Sequence, residues 1–429
     1  MPIGVTPQQQ LVAVQTYQRA GLAYLQNYYA FIALCNKKYQ NFQTLPGQQG
    51  QTVLIQKPQR VSVVNSPYAS FEGIAMEYQS LTADQWATAS KAFTSDQFLY
   101  TIEHFMEDIG KSAVIHMGAE VEKNVAQNCI NNTFRFYGDG VTPINSSGQL
   151  ASALAIFHNF GSGKDNVVGI LPDVEVASIV SSMLTQFVPV SNENLRQSYM
   201  LGRFANCDWY RSNMLQTQLA GTVGDSNLPG GTPITLTVTG TNDPTGANVT
   251  QIYCHSSGAI NDAEAIHLND SLYFVDGVSG QPNLRYLTYV GQNTSATRVQ
   301  MRATAAAGTD GSGNITLSIY PKLQSTAGMS RNLSTAIQAG MQIKAIPSHK
   351  AAIIWSSEAM YLAMPQLPNQ DPYTSTNEID DDSKLSMLMY YGSIFGTPER
   401  GLVWQALYGT TLVPEYAIKL CFPLTSSLM

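Results

Sequence analysis

The feature that most restricts the folds open to this chain is a change of composition at Gly221. From there to about Ile346 the sequence is rich in Gly, Thr, Asn and Ser, and its apolar residues come in short alternating runs separated by turn signals. Such spacing is typical of a small antiparallel barrel or sandwich. The flanking segments mix helical and strand patterns. We therefore predict an antiparallel β-barrel domain, residues 221–346, inserted into an α+β chain.

The strands predicted inside this segment are short and alternate between apolar and polar residues. They are Ile234–Val238, Ser271–Val275, Arg285–Tyr289 and Asn314–Ile319. A domain of about 125 residues can bury enough surface to fold by itself. We expect residues 221–346 to fold independently, with the entry and exit of the chain close together.

The first ninety residues predict an arm and an extended loop. Thr6 and Pro7 form a helix start, and apolar residues recur at helical spacing from there to about Phe42. Residues 47–93 lack helical periodicity and are thin in apolar content, which indicates a long β-hairpin that cannot form a core alone.

A long helix is predicted from Ser95 to about Ile130, with apolar residues at steps of three and four. Its acidic residues include Glu103, Glu107, Asp108, Glu120 and Glu122. A solvated helix face is the ordinary explanation of such acids, and a docking surface for basic residues is the alternative.

The rest of the chain predicts an α/β layer and closing strands. Before residue 221 there is a short buried strand, Asn166–Leu171, followed by a helix that begins at Asp173. After residue 346 the pattern predicts a strand, a helical turn and three more strands: His349–Trp355, Ala359–Ala363, Leu385–Tyr391, Leu402–Tyr408 and Tyr416–Leu420.

Charge is scarce and unevenly placed. Charged residues make up 12% of the chain, against about 25% in ordinary soluble domains, which suggests a surface partly covered by other subunits. The net charge of −7 argues weakly against a dedicated nucleic-acid binder. Residues 1–71 contain no Asp or Glu but hold Arg19, Lys37, Lys38, Lys57 and Arg60. This basic segment fits contact with an acidic surface of another copy; chance in a charge-poor segment is the alternative.

The sequence predicts no catalytic site and no metal-binding site. The five cysteines form no C-x-x-C pair, and the six histidines form no H-E-x-x-H motif. The sequence also lacks a G-x-S-x-G elbow, a secretory leader pattern and an apolar run long enough to span a membrane. We expect no catalytic residues, no cofactor, no metal site and no membrane association, with the thiols buried and reduced.

Four segments, in this order, carry a resemblance to a known family. They are Leu201–Asn213 with its Gly-Arg-aromatic turn and Arg-Ser-Asn end, Gly311–Leu317, Ile353–Ala363, and Leu407–Ala417. Together with the order of elements, they resemble the major capsid proteins of tailed bacteriophages with the Hong Kong-type shell fold. The similarity is to the short-tailed-phage branch, whose coat protein carries an inserted β-barrel.

The resemblance implies a domain plan and a role. The plan is an N-terminal helical arm (1–46), an extended hairpin loop (47–93), a peripheral domain with a spine helix (94–140), an axial domain (141–220), the inserted barrel (221–346), the axial return (347–384) and closing peripheral strands (385–429). The implied role is structural rather than enzymatic: self-assembly into hexamers and pentamers of an icosahedral shell. The resemblance also implies that the extended hairpin lies over the peripheral domain of an adjacent subunit. Given the charges above, we expect the basic arm and hairpin of one copy to dock on the acidic helix of a neighbour.

Partners and location follow from the same resemblance. They are a separate scaffolding protein, because few residues precede the first helix, a portal protein, and double-stranded DNA enclosed without sequence-specific binding. The implied location is the virion, assembled in the host bacterial cytoplasm. Two alternatives stay open: an encapsulin-type compartment on the same fold, and an extracellular adhesin or carbohydrate-binding protein, which the missing leader and the acidic helix disfavour.

Overall fold

A computed structural model of the 429-residue chain describes residues 29–39, 52–60, 67, 76–94, 111–160, 166–184, 200–258, 262–289, 292–328, 330–367, 374–379, 385–393 and 399–424. The helices are α1 (Ala30–Leu34), α2 (Lys111–Asn132), α3 (Ser147–Asn159), α4 (Asp173–Leu184) and α5 (Thr222–Asp225). The strands before the barrel are β1 (Thr52–Gln56), β2 (Tyr78–Thr82), β3 (Gln85–Thr94), β4 (Phe136–Tyr137), β5 (Val167–Pro172), β6 (Met200–Phe204), β7 (Cys207–Ser212) and β8 (Thr217–Gln218).

The strands from the barrel onward complete the chain. Those of the Gly- and Thr-rich segment are β9 (Leu236–Thr241), β10 (Val249–Ser256), β11 (Ser271–Phe274), β12 (Arg285–Leu287), β13 (Thr294–Arg298), β14 (Gln300–Ala303), β15 (Asn314–Leu323) and β16 (Gln342–Ala345). The last are β17 (His349–Ser356), β18 (Met360–Ala363), β19 (Thr374–Ile379), β20 (Ser386–Ser393), β21 (Glu399–Leu412) and β22 (Ala417–Pro423). The fold class is mixed α+β.

The chain divides into two compact units. The first consists of Met1–Ile55, Gln79–Asn128 and Met360–Thr411, and the second of Gln56–Tyr78, Cys129–Ala359 and Leu412–Met429.

In the first unit the long helix α2 is hydrogen-bonded to strand β21 of a five-stranded sheet, through Asn124 to Tyr408 and Asn128 to Thr410. The sheet order is β18-β21-β20-β19, and β3 pairs with β21 over its whole length. One face of α2 is buried through Val114, Met117, Val121 and Val125, which recur every three or four residues as an amphipathic helix requires. Residues 95–110, the predicted first part of this helix, lie outside the described residues.

Helix α1 ends earlier than its sequence pattern predicts. The pattern extends to about Phe42, but the helix stops at Leu34, and Asn36 forms a parallel bridge with Tyr361. The Asn36 N–H donates to Met360 O at 2.8 Å, and Leu362 N–H donates to Asn36 O at 3.0 Å. Pairing with β18 therefore wins over helix propensity after Cys35. The start of the predicted helix lies outside the described residues.

In the second unit a mixed sheet carries two helices. Its order is β4-β22-β17-β5-β7-β6, with β8 also paired to β17. Every residue of β5 is buried, as is usual for a strand covered on both faces. Apolar side chains of α3 and α4 share one core with the sheet: Leu150, Leu154, Phe157, Val176 and Ile179 pack with Val167, Trp209 and Ile354.

The Gly- and Thr-rich segment forms a closed six-stranded barrel. The strand order is β10-β15-β14-β11-β16-β9, and every adjacent pair is antiparallel. The barrel core is completed from outside residues 221–346, because Phe134 and Phe160 belong to the same buried cluster. Strands β8 and β17, which precede and follow the segment, pair directly at Thr217–Lys350 and Gln218–His349.

One predicted element is wrong. Ala359–Ala363 was expected to be a helical turn, but Met360–Ala363 is strand β18 and all four residues are buried. A short apolar run has no periodicity that separates a buried strand from a buried helix. Pairing with β21 decides the conformation instead.

Strands β1 and β2 form a two-stranded ribbon with unequal faces. Lys57 N–H donates to Glu77 O at 2.9 Å, and the hydroxyls of Thr52 and Thr82 lie 3.0 Å apart, so the strands run antiparallel. Ile55 and Leu81 are buried at 3% and 0% exposure, whereas Leu54 is 63% exposed. A ribbon of this size is marginal alone.

Candidate functional site

The charged residues predicted to form intersubunit contacts differ in where the structure places them. Arg19, Glu103, Glu107 and Asp108 lie outside the described residues. Lys38 and Glu120 are exposed, and Lys37 is half-buried. Lys57, Arg60 and Glu122 are engaged within the chain itself, as set out below. Docking on a neighbour therefore stays a prediction, and among the described residues Lys38 and Glu120 are its exposed carriers.

Glu122 binds the arm of its own chain. Its carboxylate accepts from Phe31 N–H at 2.9 Å and from Ile32 N–H at 3.0 Å, two of the amides left open at the start of a helix. Tyr29 adds a hydrogen bond from its hydroxyl to Ile115 O. Glu122 is 1% exposed, and this burial raises its pKa to about 7 despite the three backbone N–H donors that favour the charged form.

The buried Glu122 predicts a dependence of stability on pH. An acid whose pKa rises from 4.5 to about 7 on folding binds a proton more tightly in the folded state. Its contribution is therefore fully present below pH 4.5 and lost as pH rises toward 7. Between pH 5 and pH 8 we expect the free energy of unfolding to fall by about 2–3 kcal/mol from this group.

Urea denaturation across that range checks the expectation. Glu122→Gln should flatten the slope, because glutamine does not titrate. Glu120→Gln, a change at an exposed position of the same helix, serves as the control and should leave the slope as in the wild type. An unchanged slope in Glu122→Gln would contradict the assignment.

Lys57 lies at a junction between the hairpin and the barrel. Its ammonium donates to the Tyr320 hydroxyl at 2.8 Å and lies 4.0 Å from Glu415 Oε1. The Tyr320 hydroxyl in turn donates to Glu415 Oε1 at 2.8 Å. Lys57 and Glu415 are 9% and 4% exposed. Burial, followed by the charge of Glu415, holds the pKa of Tyr320 well above its usual value, so the phenol stays a donor.

Arg60, three residues further along the chain, also contacts the barrel segment at this junction. Its guanidinium carbon lies 4.1 Å from the centre of the Tyr289 ring, a cation–π distance. Nη1 also lies 3.0 Å from Leu287 O, 3.3 Å from Thr288 O and 3.4 Å from Arg331 O. All of these acceptors belong to the barrel segment.

Aromatic rings and a buried arginine form the floor of the junction. The rings of Phe134, Phe160 and Tyr286 meet edge to face at 5.6–6.3 Å. Arg135, 2% exposed, lies over Phe160 at 4.3 Å and donates to Glu415 O at 2.9 Å. Burial lowers its pKa to about 10. A cavity of about 250 Å³ remains between the three rings and the hairpin residues Pro58, Arg60 and Glu77.

A second buried polar cluster ties the barrel to the mixed sheet. Lys419, which is 0% exposed, donates to Gln218 Oε1 at 2.5 Å and to Ser271 Oγ at 2.6 Å. Burial lowers its pKa to about 8. Asp270 accepts from Gly221 N–H and His267 N–H, and burial raises its pKa to about 6. The neighbouring His349 has a pKa of about 3, lowered by burial and then by Lys419.

Sequence reasoning missed most of the partners at these clusters. Tyr289, Tyr320 and Glu415 lie more than two hundred residues from Lys57, and their local sequence gives no signal of the contact. Lys419 did carry a signal, since it stands inside the apolar strand β22, where a charge is expected to be buried with partners.

The described parts of the chain contain no cluster of three or more His, Cys, Asp or Glu side chains arranged to hold a metal ion. Among their helices, none combines the length and the apolar character needed to cross a membrane.

Comparison with known proteins gives structural likeness only. No protein-family model and no curated protein matches the sequence. Several solved structures from phages are similar. One from Mycobacterium phage Che8 has a TM-score of 0.44 and 10% identity, covering 91% of this chain and 90% of that one. The capsid of Ralstonia phage GP4 has a TM-score of 0.44 and 8% identity, covering 94% and 92%.

A structure outside the phages is also similar. A virus-like particle from Pyrococcus furiosus has a TM-score of 0.36 and 6% identity, covering 95% of this chain and 98% of that one. Likeness at these levels does not assign a function, so the function proposed below rests on the residues of this chain.

Proposed function

We propose that this chain is the major capsid protein of a tailed bacteriophage, with the Hong Kong-type shell fold and an inserted barrel. Its role is structural and non-enzymatic: copies assemble as hexamers and pentamers into an icosahedral shell around double-stranded DNA. The partners are a separate scaffolding protein and a portal protein, with assembly in the host cytoplasm.

The observation that carries the proposal is the place where the barrel joins the sheet. Strands β8 and β17 pair at Gln218–His349, so the chain leaves and re-enters one sheet at one point. The segment Leu201–Asn213, which covers β6 and β7, precedes that point, and Ile353–Ala363, in β17 and β18, follows it. These are the segments whose sequence resembles the flanks of the insertion in the short-tailed-phage branch.

Exposed apolar side chains give separate support for self-association. Leu54 is 63% exposed, Met76 51%, Tyr78 48% and Trp86 55%. All lie in or beside β1, β2 and β3. In a chain with only 12% charged residues, large apolar groups of this kind fit a surface covered by another subunit.

The domain plan is part of the proposal. The first unit contains the long helix as far as Asn128 and the closing strands β20 and β21, which we assign to the peripheral domain. The closing strand β22 belongs to the mixed sheet of the second unit, and we assign that sheet, with α3 and α4, to the axial domain. We keep 221–346 as the inserted domain. Since Phe134 and Phe160 complete its core, we expect the isolated segment to fold with an exposed apolar patch.

The proposal is tested by expressing the full chain with and without a candidate scaffolding protein. Size-exclusion chromatography and negative-stain electron microscopy then show the state of assembly. Uniform closed particles are the expected result. Particles that carry an enzyme in place of scaffold would favour the encapsulin alternative, and a stable monomer under all conditions would contradict both.

The electrostatic docking has its own test at exposed positions. Lys57, Arg60 and Glu122 serve contacts within the chain, so reversing them would disturb the fold. Lys38→Glu should slow assembly about two- to fivefold at low salt, since an exposed pair contributes up to about 1 kcal/mol. Adding Glu120→Lys should restore part of the rate. Equal rates for Lys38→Glu and wild type, measured by light scattering, would remove the charge asymmetry from docking.

A further inference from the structure

The hairpin meets the barrel at both ends of the segment that joins β1 to β2. At the first end Arg60 stacks on Tyr289 and reaches three carbonyl oxygens of the barrel segment. At the other end Glu77 Oε1 forms an ion pair of 2.5 Å with Lys322 in β15. The two ends are also joined to each other by the hydrogen bond from Lys57 N–H to Glu77 O.

The chemistry at the first end is specific to the residues present. A guanidinium presents a flat face for stacking and several N–H donors in its plane, whereas an ammonium offers only a compact point charge. Arg60 uses both properties, the stacking on Tyr289 and the donors toward Leu287, Thr288 and Arg331. Lys57 adds a nearly buried ammonium, which lies 4.9 Å from the centre of the Tyr320 ring.

These charged contacts do more than bury apolar surface, because they also fix the geometry of the segment. Buried charges require partners with defined geometry, because an unpaired one is costly. Lys57 has Tyr320 and Glu415, and Arg60 has carbonyl oxygens in fixed positions. A pair of charged anchors therefore sets a single orientation for residues 57–60, where an apolar contact would allow several.

We propose that Lys57 and Arg60 are positioning residues: they fix residues 57–60, at the loop end of the β1–β2 ribbon, on the barrel, so that the barrel sets how this segment is presented to a neighbouring copy. The part about a neighbouring copy rests on the proposed function. The barrel would then influence the contacts between subunits indirectly, by holding the hairpin of its own chain.

The first experiment uses the unassembled full-length subunit. Hydrogen exchange followed by mass spectrometry measures the amides of residues 52–60 and 76–82. Arg60→Ala should speed exchange in these residues about tenfold, as expected for the loss of a partly buried charged contact. Exchange in β20 and β21 should stay as in the wild type. Arg60→Lys should recover only part of the protection from exchange, because a lysine ammonium can neither stack on the Tyr289 ring nor present several N–H donors in one plane.

The matched control is Arg298→Ala, which removes another arginine of the barrel segment, paired with Asp276 at 2.9 Å, and leaves the hairpin contacts in place. It should not change exchange in residues 52–60. If Arg60→Ala also leaves these amides unchanged, or if Arg298→Ala releases them equally, the positioning role is overturned.

The second experiment measures assembly and separates the two claims. Arg60→Ala should lower the yield of closed shells at least fivefold while the thermal unfolding of the subunit shifts no more than in Arg298→Ala. Hairpin release with a normal shell yield would overturn the role in presenting the hairpin. Absence of shells in the wild type would overturn the proposed function, while the exchange result would still decide the anchoring.

Discussion

Gly409→Ala should remove about 3 kcal/mol, the upper end of the usual cost of overpacking, from the stability of the unit that holds the five-stranded sheet. Gly409 lies in β21, and a Cβ there would come 2.0 Å from Thr82 O and 2.8 Å from Ala83 Cα. Both contacts are with backbone atoms at the turn between β2 and β3, so no side-chain rotation can relieve them. The sheet or the turn must move apart to admit one methyl group.

Urea denaturation of the full chain, followed by circular dichroism, measures this loss. Gly240→Ala is the matched control, because Gly240 is also in a strand and its Cβ would meet only the Tyr253 ring at 3.6 Å. The control should change the free energy of unfolding by less than about 1 kcal/mol. A Gly409→Ala protein as stable as the control would show that β21 and the turn do not approach so closely.

Lys419→Met should destabilise the second unit by about 2–4 kcal/mol, because it removes the charged donor of a buried polar cluster. The charge of Lys419 is expensive to bury, as its pKa of about 8 shows, and methionine avoids that penalty. The substitution also removes the two charge-assisted hydrogen bonds of Lys419, to Gln218 and Ser271, each of which contributes about 1.5–3 kcal/mol. Their loss leaves Gln218 Oε1 and Ser271 Oγ without this donor, and Asp270 loses its buried cation. The losses outweigh the gain.

The comparison for this change is Lys322→Met in the barrel strand β15. The Lys322 side chain is 40% exposed and pairs with Glu77, which is 46% exposed, so its replacement should cost less than about 1 kcal/mol. Equal effects of the two substitutions, measured by thermal unfolding, would mean that the Lys419 cluster does not join the barrel to the sheet as described.

Elements whose sequence carries a strong local pattern were predictable. Strand β5 is a run of six apolar or small residues that ends at Pro172. The barrel strands alternate between apolar and polar residues, and turn residues separate one strand from the next. Helix α3 was missed although its start has a capping box of Ser146 and Gln149, a signal that the sequence contained. Strand β18 and the end of α1 could not be predicted, because pairing between distant segments decides both.

The junction of hairpin and barrel shows the same limit. The charge pattern of the sequence singles out Lys57 and Arg60 in the basic first 71 residues and Glu122 in the acidic helix. It predicted a contact with a neighbouring copy, whereas the structure places all three in contacts within the chain. Charge pattern identifies residues that need partners, but it does not say which chain supplies them; Tyr320 and Glu415 became visible only once the fold brought them to Lys57.

The most direct test of the central claim is cryo-electron microscopy of the full chain after assembly. We expect closed icosahedral shells built of hexamers and pentamers, with the hairpin that contains β1 and β2 of one subunit lying over the next. Open aggregates without symmetry, or a chain that stays monomeric at every concentration with and without scaffold, would contradict it.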